Sequence, residues 1–134
     1  MLERLILSTK NMPEITLDPI GMIKISGRSM GTNICDFSDR INCWIDDYIQ
    51  SPADTTCINI CFEYLNSSDI KFYCSIINKI KVVRLKNKKL QINWYYEEGD
   101  EDILEKGESV SLVLGLDFNF IKIRDSAGQI NIEP

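Results

Sequence analysis

Residues 55–65 constrain the fold more than any other part of the chain. The run alternates with the period of a β-strand and is apolar on both sides, with Ile58, Ile60, Phe62 and Tyr64 on one face and Cys57, Cys61 and Leu65 on the other. A strand with two apolar faces is typical of the middle of a sheet that is covered on both sides. The sequence therefore predicts a central strand in a layered α/β protein.

Amphipathic helices are predicted on either side of this strand. Before it, apolar residues recur at helical spacing from Phe37 to Tyr48, and Pro52 ends the pattern. After it, the cap-forming residues 66–69 precede a second run of helical spacing, which extends from residue 70 to about residue 81. An acidic segment, residues 97–102, leads into a third helix.

Extended segments complete the pattern. A short strand is expected at residues 5–7, a hairpin at residues 15–17 and 22–27, and a loop at residues 28–33. Further strands are expected at residues 90–94 and 118–123, with a loose tail after residue 125. From the hairpin onward the order is strand, strand, helix, strand, helix, strand, helix, strand. This predicts one α/β domain over residues 1–134, with helices packed on a single mixed sheet. The order resembles that of the STAS domains of anti-sigma-factor antagonists.

Composition excludes several classes of function. The 134 residues carry 15 basic and 20 acidic side chains, a net charge of −5, so neither a nucleic acid nor an anionic membrane is an expected partner. The chain has no histidine, which removes the usual general base and the commonest neutral metal ligand. We therefore expect a protein without a cofactor that is not an enzyme.

The five cysteines predict a reducing compartment. Their number is odd, and residues 1–10 carry Glu3 and Arg4 where a secretory signal would be apolar throughout. The C-x3-C spacing of Cys57 and Cys61 could begin a zinc site, but without histidine or a second close pair we interpret the cysteines as small buried apolar residues. No apolar run approaches the roughly 20 residues of a membrane span. The chain is therefore predicted to be cytoplasmic.

The junction after the central strand is the best candidate for a site. Residues 64–69 (YLNSSD) place hydroxyl side chains at the start of a helix, where unpaired N–H groups and the helix dipole favour an anion. A phosphate added to a serine here would find donors in place and would add a charge of about −1.5 to −2. Asn and Ser are common helix caps, so plain capping is the simpler interpretation of these residues alone.

Two charged runs allow other interpretations. The acidic residues 97–102 could bind a divalent cation, but they lack the EF-hand spacing. The basic residues 79–89 could meet an acidic partner surface or a phosphate. In both runs a solvated helix terminus is the simpler explanation, because acidic side chains favour helix starts and basic ones favour helix ends.

Three blocks of the sequence resemble the SiaC family of bacterial regulatory phosphoproteins. They are residues 27–33 (GRSMGTN), 64–71 (YLNSSDIK) and 94–100 (WYYEEGD), in the family's order, and the second block is the most specific. The resemblance implies a phosphoswitch in a partner-switching pathway. A kinase with a histidine-kinase-like ATPase fold phosphorylates a hydroxyl in the strand-to-helix turn, and a metal-dependent serine phosphatase removes the phosphate. The unphosphorylated form binds a client, best known as a diguanylate cyclase, and so raises cyclic-di-GMP and promotes biofilm formation.

By position, the resemblance assigns the modified hydroxyl to Ser67, with Ser68 as the alternative. The implied partner-binding residues are Asn66, Ser67, Ser68, Asp69, Lys71, Ser29, Met30, Thr32 and Asn33. The chain departs from the family archetype by having Ser67 in place of a threonine and Asp69 in place of a third hydroxyl residue, so the turn already carries one negative charge. Two other functions stay open: a small metal-dependent hydrolase using residues 97–102, and an unregulated scaffold domain.

Overall fold

The computed structural model describes residues 2–31 and 35–124. Within that part of the chain, strands and helices follow the order β1 (Arg4–Ile6), β2 (Glu14–Asp18), β3 (Met22–Ser29), α1 (Cys35–Tyr48), β4 (Thr55–Leu65), α2 (Ile70–Ile80), β5 (Lys89–Glu97), α3 (Glu101–Leu114) and β6 (Asn119–Ile123). Two short 3-10 helices flank α2, with Ser67–Asp69 before it and Lys81–Lys86 after it. Every predicted helix and strand is present, with ends that shift by a few residues. The predicted loose tail lies outside the described residues.

The strands form one sheet whose order follows the chain. β1, β2 and β3 pair antiparallel, as the predicted hairpin requires, and β3 to β6 pair parallel. Crossovers between parallel strands are right-handed, so successive crossovers in one direction place α1, α2 and α3 on the same face of the sheet. Contacts of α2 with both α1 and α3 agree with this arrangement. The prediction of a single mixed sheet with packed helices is confirmed, and its STAS-like character stays a prediction.

The core lies between the sheet and its helices. β4 contributes Ile58 and Ile60, and α1 contributes Ile45, all of them almost fully buried. The buried side chains of α2 have the helical spacing that the sequence predicted: Tyr73, Ile76, Ile77 and Ile80. Removing this apolar layer from water is the main stabilisation of the fold.

The other face of β4 is less covered than predicted. Cys57, Asn59 and Cys61 alternate with the core residues and are only half-buried. Strands in chain order keep every crossover helix on one side, so among the described residues no crossover helix covers this face. A row of hydrogen-bonded amides crosses it instead, from Asn59 through Asn93 to Asn119. The prediction of a strand covered on both faces is therefore wrong.

A shift in register moves Tyr64 off the face predicted for it. Gly27 pairs with Phe62, but the next residue, Arg28, pairs with Tyr64. The extra residue in β4 reverses the alternation of side chains beyond it. Tyr64 is consequently 40% exposed, while Leu65 is buried.

Candidate functional site

The predicted junction between β4 and α2 is a tight turn. β4 ends at Leu65, Asn66 follows as an N-cap, and the 3-10 helix Ser67–Asp69 leads directly into α2. The Asn66 Oδ1 atom accepts a hydrogen bond from the Ser68 N–H at 2.9 Å and another from the Ser68 hydroxyl at 2.7 Å. Asn66 thus caps the short 3-10 helix as its sequence predicts, and residues 66–69, the 66–69 turn, lead into α2, whose own N-cap Asp69 makes no side-chain capping hydrogen bond.

The two serines of the 66–69 turn differ in what their hydroxyls do. Both side chains are exposed. The Ser68 hydroxyl is hydrogen-bonded to Asn66, whereas the Ser67 hydroxyl makes no hydrogen bond to any residue within 2–31 or 35–124. An exposed hydroxyl without an internal partner is the more accessible acceptor for a phosphoryl group, so the geometry favours Ser67 over Ser68.

The end of β3 lies beside the 66–69 turn. β3 extends to Ser29, two residues into the predicted loop, and the Ser29 carbonyl accepts a hydrogen bond from the Asn66 N–H at 2.8 Å. The Asp69 Oδ2 atom accepts from the Ser29 hydroxyl at 2.6 Å and from the Gly31 N–H at 2.8 Å. These hydrogen bonds bind residues 29–31, the 29–31 segment, to the turn.

Asp69 and Ser29 support the turn from within. They are 4% and 1% exposed, and their polar atoms point at each other. A buried group cannot offer its side chain to a partner, so we revise the expectation that both make partner contacts. The physical reason is that donors of the 29–31 segment draw the Asp69 carboxylate inward.

The other predicted contacts are divided between surface and interior. Lys71 is exposed on the first turn of α2, and Met30 and Asn66 are half-buried. Thr32 and Asn33 lie outside the described residues. Among the described residues of the predicted site, the fully exposed ones are therefore Lys71 and the two serines of the 66–69 turn.

Tyr73 belongs to the site, although its spacing predicted only a core residue. Its ring is 2% exposed, and its hydroxyl lies 2.9 Å from the Ser29 hydroxyl. Because the Ser29 proton is donated to Asp69, Tyr73 is the donor in this pair, and a chain of hydrogen bonds runs from Tyr73 through Ser29 to Asp69. Burial, with a smaller contribution from the Asp69 charge, raises the pKa of Tyr73. The need of a buried tyrosine hydroxyl for a partner is the signal that could have found it.

Gly31 permits the close approach of the 29–31 segment to the turn. Its φ is +83°, in the left-handed region that favours glycine. A Cβ atom here would lie 3.0 Å from the Asn66 Cγ and Nδ2 atoms and 3.2 Å from the Ser68 Oγ atom. A larger residue would therefore press on the Asn66 side chain that caps the turn.

Lys106 holds the turn from the side of α3. Its Nζ atom donates to the Leu65 carbonyl at 2.6 Å, pairs with Asp102 at 2.8 Å, and lies 5.5 Å from the centre of the Tyr64 ring. The side chain is only 15% exposed. No local pattern in the sequence singles out Lys106, because its contact with Leu65 joins residues 41 positions apart.

The acidic residues 97–102 serve the start of α3. Asp100 is the N-cap, and its Oδ1 atom accepts from the Ile103 N–H at 3.1 Å. Asp102 pairs with Lys106, one helical turn further on. Among the residues that the structure describes, no three Cys, Asp or Glu side chains are grouped to hold a metal ion. The geometry supports the helix-start interpretation of these residues.

Two lysines within residues 79–89 bind helix ends, and two others form ion pairs. The Lys81 Nζ atom donates to the Leu114 carbonyl at the end of α3, and the Lys86 Nζ atom donates to the Ile49 carbonyl just after α1, both at 2.8 Å. Cations stabilise the unpaired carbonyls of helix C-termini. Two further lysines form ion pairs at 2.9 Å, Lys79 with Asp46 and Lys88 with Asp54. These contacts favour a structural role for the basic run.

The cysteines whose side chains are described are free thiols: Cys43, Cys57, Cys61 and Cys74. Cys43 is exposed and the other three are half-buried, so the prediction of buried apolar residues is wrong for this set. Partial burial raises the pKa of the three half-buried thiols. Cys57 and Cys61 lie along one strand with about 13 Å between their Cα atoms. That distance excludes a disulfide between them and a metal ion that they share.

Comparison with solved structures yields the same fold. The chain matches apo-SiaC from Pseudomonas aeruginosa with a TM-score of 0.76 and 20% sequence identity, over 91% of this chain and 98% of that one. It also matches a chain in the crystal structure of the diguanylate cyclase SiaD in complex with its activator SiaC, from the same organism. That match has a TM-score of 0.79 and 19% identity, over 89% of this chain and 98% of the other. At this level of identity the matches establish the fold.

Sequence comparison identifies the family. No curated protein matches the chain significantly. In the described part of the chain, no helix has the length and apolar character to span a membrane. The family model for the SiaC family regulatory phosphoprotein matches residues 6–123, a range that contains both the 66–69 turn and the 29–31 segment. The chain therefore belongs to the SiaC family of regulatory phosphoproteins.

Proposed function

We propose that this chain is a phosphoswitch that is modified on Ser67. The observation that carries the proposal is the exposed Ser67 hydroxyl at the junction of β4 and α2, which has no hydrogen-bond partner among the described residues. Membership of a family of regulatory phosphoproteins supplies the type of modification. Ser68 is the alternative acceptor, but phosphorylation there would disrupt the hydrogen bond from its hydroxyl to Asn66.

The client binds the unphosphorylated turn and is a diguanylate cyclase. This assignment is supported by the match to the complex of the cyclase SiaD with its activator SiaC. The contact surface consists of Ser67, Ser68 and Lys71, together with the accessible edge of the 29–31 segment. Binding activates the cyclase, raises cyclic-di-GMP and promotes biofilm formation.

Phosphorylation opposes binding through charge. A phosphate adds about −1.5 to −2 at neutral pH, on a protein whose net charge is already −5. The ammonium group of Lys106 is already engaged with the Leu65 carbonyl and Asp102. Lys71 in the same contact surface is exposed, and a pair with an exposed lysine recovers little of the cost of desolvating a hydrated dianion in a protein contact. The modified turn therefore releases its client.

Each direction of the switch needs an enzyme. We assign phosphorylation to a protein kinase with a histidine-kinase-like ATPase fold and its reversal to a metal-dependent serine phosphatase, because residues 64–71 resemble the family's phosphorylated block. The free thiols of the described cysteines suit a reducing cytoplasm, which also supplies ATP.

The modification is tested by intact mass. The protein is purified from its native host and weighed before and after treatment with a metal-dependent serine phosphatase. We expect one removable phosphate that fragmentation maps to Ser67. If the protein carries no phosphate and its mass stays unchanged after incubation with the cognate kinase and Mg·ATP, the switch is contradicted and an unregulated scaffold is supported.

The consequence for the client is tested by affinity. Ser67→Ala should bind a diguanylate cyclase from the same host as tightly as the unmodified chain, and Ser67→Asp should bind at least about tenfold more weakly. Ser75→Asp is the matched control, since Ser75 is an exposed residue of α2 outside the proposed contact. Equal affinity of Ser67→Asp and the unmodified chain would contradict exclusion by charge.

A further inference from the structure

Asp69 presents a buried carboxylate two positions after Ser67. It is 4% exposed, and none of the ion pairs formed by described residues includes it. Its Oδ2 atom depends instead on neutral donors, the Ser29 hydroxyl and the Gly31 N–H. A buried anion without a paired cation is sensitive to any further negative charge placed near it.

The two donors of Asp69 are not held equally. Ser29 lies in β3, its carbonyl accepts from the Asn66 N–H, and its hydroxyl accepts from Tyr73. Gly31 comes after the end of β3 and is exposed, and its N–H donates to Asp69. The Gly31 contact is therefore the weaker end of the 29–31 segment.

We propose that Asp69 is the positioning residue of the switch, and that phosphorylation of Ser67 releases Gly31 from its carboxylate. In the unphosphorylated chain, Asp69 holds the 29–31 segment on the 66–69 turn, so that a client meets both as one surface. A phosphate on Ser67 places a second anion two residues before Asp69 on the same turn, and charges this close in the chain lie well within the screening length of about 8 Å. Repulsion favours hydration of the carboxylate, and water then competes with the Gly31 N–H for the Oδ2 atom.

The modification thus changes two segments of the surface with one phosphate. The 66–69 turn gains charge, and the Gly31 end of the 29–31 segment loses its fixed position. Ser29 stays bound through Asn66 and Tyr73, so the change is confined to the end of the segment near Gly31. This inference deepens the proposed function and rests on it for the identity of the modified residue.

The exchange rate of the Gly31 amide proton tests the proposal directly. Phosphoserine is incorporated at position 67 during translation, and amide exchange is followed by NMR in the isolated chain. We expect the Gly31 amide to exchange at least about tenfold faster than in the unmodified chain. Phosphoserine at position 75, on the exposed side of α2, is the matched control and should leave the Gly31 rate unchanged.

Asp69→Asn separates repulsion from other effects of the phosphate. The variant keeps the size of the side chain and one acceptor oxygen but removes the charge, so phosphoserine at position 67 should change its Gly31 rate by less than about threefold. If Asp69→Asn does not fold, Ser29→Ala replaces it. In Ser29→Ala the carboxylate has lost one donor and is more sensitive to repulsion. Phosphoserine at position 67 should then accelerate exchange at Gly31 more than it does in the chain without the Ser29 substitution.

Two results would overturn the proposal. One is a Gly31 rate that phosphoserine at position 67 leaves unchanged, and the other is an acceleration of equal size in Asp69→Asn. The measurement needs neither kinase nor client, so it fails or succeeds separately from the proposed function. Release of Gly31 in a chain that binds no diguanylate cyclase would contradict the proposed function and support the inference. Binding of the cyclase without release of Gly31 would support the function and contradict the inference.

Discussion

The indole ring of Trp94 lies directly against the backbone of Gly107. A Cβ atom on Gly107 would fall 2.5 Å from the Trp94 Cε2 and Nε1 atoms, closer than any real contact allows. The Trp94 Nε1–H also donates to the Ile103 carbonyl at 3.0 Å, one turn earlier in α3. A glycine in mid-helix thus lets α3 approach β5 closely enough to bury an indole that is 1% exposed.

Gly107→Ala should destabilise the protein, although alanine favours helices. The methyl group would push α3 away from Trp94, and overpacking of this kind costs about 1 to 3 kcal/mol. The free energy of unfolding in urea measures the effect. Ser109→Ala, at an exposed position of the same helix, should change it by less than about 0.5 kcal/mol. Helix propensity alone predicts that Gly107→Ala raises the free energy of unfolding by about 1 kcal/mol. A measured gain of that size would show that α3 can move away from Trp94 without loss of stability.

Sequence patterns predicted the elements of this fold but not their closest contacts. The periodicities of residues 55–65 and 70–80 located β4 and α2, because the spacing of apolar residues within one segment predicts whether it is a strand or a helix. The contact between Gly107 and Trp94 joins two different elements, so no spacing of residues within one segment predicts it. The covered second face predicted for β4 failed for a similar reason, because strand order, which sequence periodicity does not encode, decides where the helices lie.

Tyr73→Phe should cost about 1 kcal/mol of unfolding free energy, the usual value of one buried hydrogen bond. The substitution keeps the ring in the core and removes only the hydroxyl that donates to Ser29. Urea denaturation of the purified variant provides the measurement. Tyr64→Phe is the control, because that side chain is 40% exposed and should lose less than about 0.5 kcal/mol. Equal losses of unfolding free energy in the two variants would show that the Tyr73 hydroxyl makes no stabilising hydrogen bond to Ser29.

The raised pKa of Tyr73 makes the protein less stable at alkaline pH. Burial keeps the phenol protonated in the folded state at pH values where the unfolded chain has lost the proton. The folded state then binds more protons than the unfolded state, so the free energy of unfolding falls as pH rises above about 10, the ordinary pKa of tyrosine.

Comparison with Tyr73→Phe isolates this contribution from those of other groups. The slope of unfolding free energy against pH above 10 should be shallower in Tyr73→Phe by up to about 1.4 kcal/mol per pH unit, the effect of one proton. Urea denaturation at a series of pH values gives both slopes. The half-buried cysteines, whose pKa values are also raised, affect the two proteins alike. Identical slopes would mean that Tyr73 ionises as freely in the folded state as in the unfolded chain.

The candidate site was partly predictable for a comparable reason. The 66–69 turn was evident because a strand pattern, four cap-forming residues and a helical pattern follow one another without a gap. The inward direction of Asp69 was not evident, since its donors come from the 29–31 segment, about forty positions earlier. Asp at a helix start usually faces solvent, and only the folded chain shows that this one is buried.

Lys106→Met should destabilise the protein more than the loss of an ordinary surface ion pair. Methionine retains most of the apolar stem of the side chain and removes the ammonium group that binds the Leu65 carbonyl and Asp102. Because the side chain is 15% exposed, we expect a loss of about 1.5 to 3 kcal/mol, as for hydrogen bonds to charged groups. Lys79→Met, which breaks a more exposed pair with Asp46, should cost no more than about 1 kcal/mol.

Amide exchange at Asn66 measures the local effect of Lys106→Met on the 66–69 turn, with Lys79→Met as the control. The Asn66 N–H donates to the Ser29 carbonyl, and Lys106 holds the neighbouring Leu65 carbonyl in place, so Lys106→Met should accelerate exchange at Asn66 whereas Lys79→Met should not. Equal stability and equal Asn66 exchange in the two variants would show that α3 contributes nothing to the position of the turn. A selective effect of Lys106→Met would instead establish that the turn bearing Ser67 is fixed from two sides, by β3 and by α3.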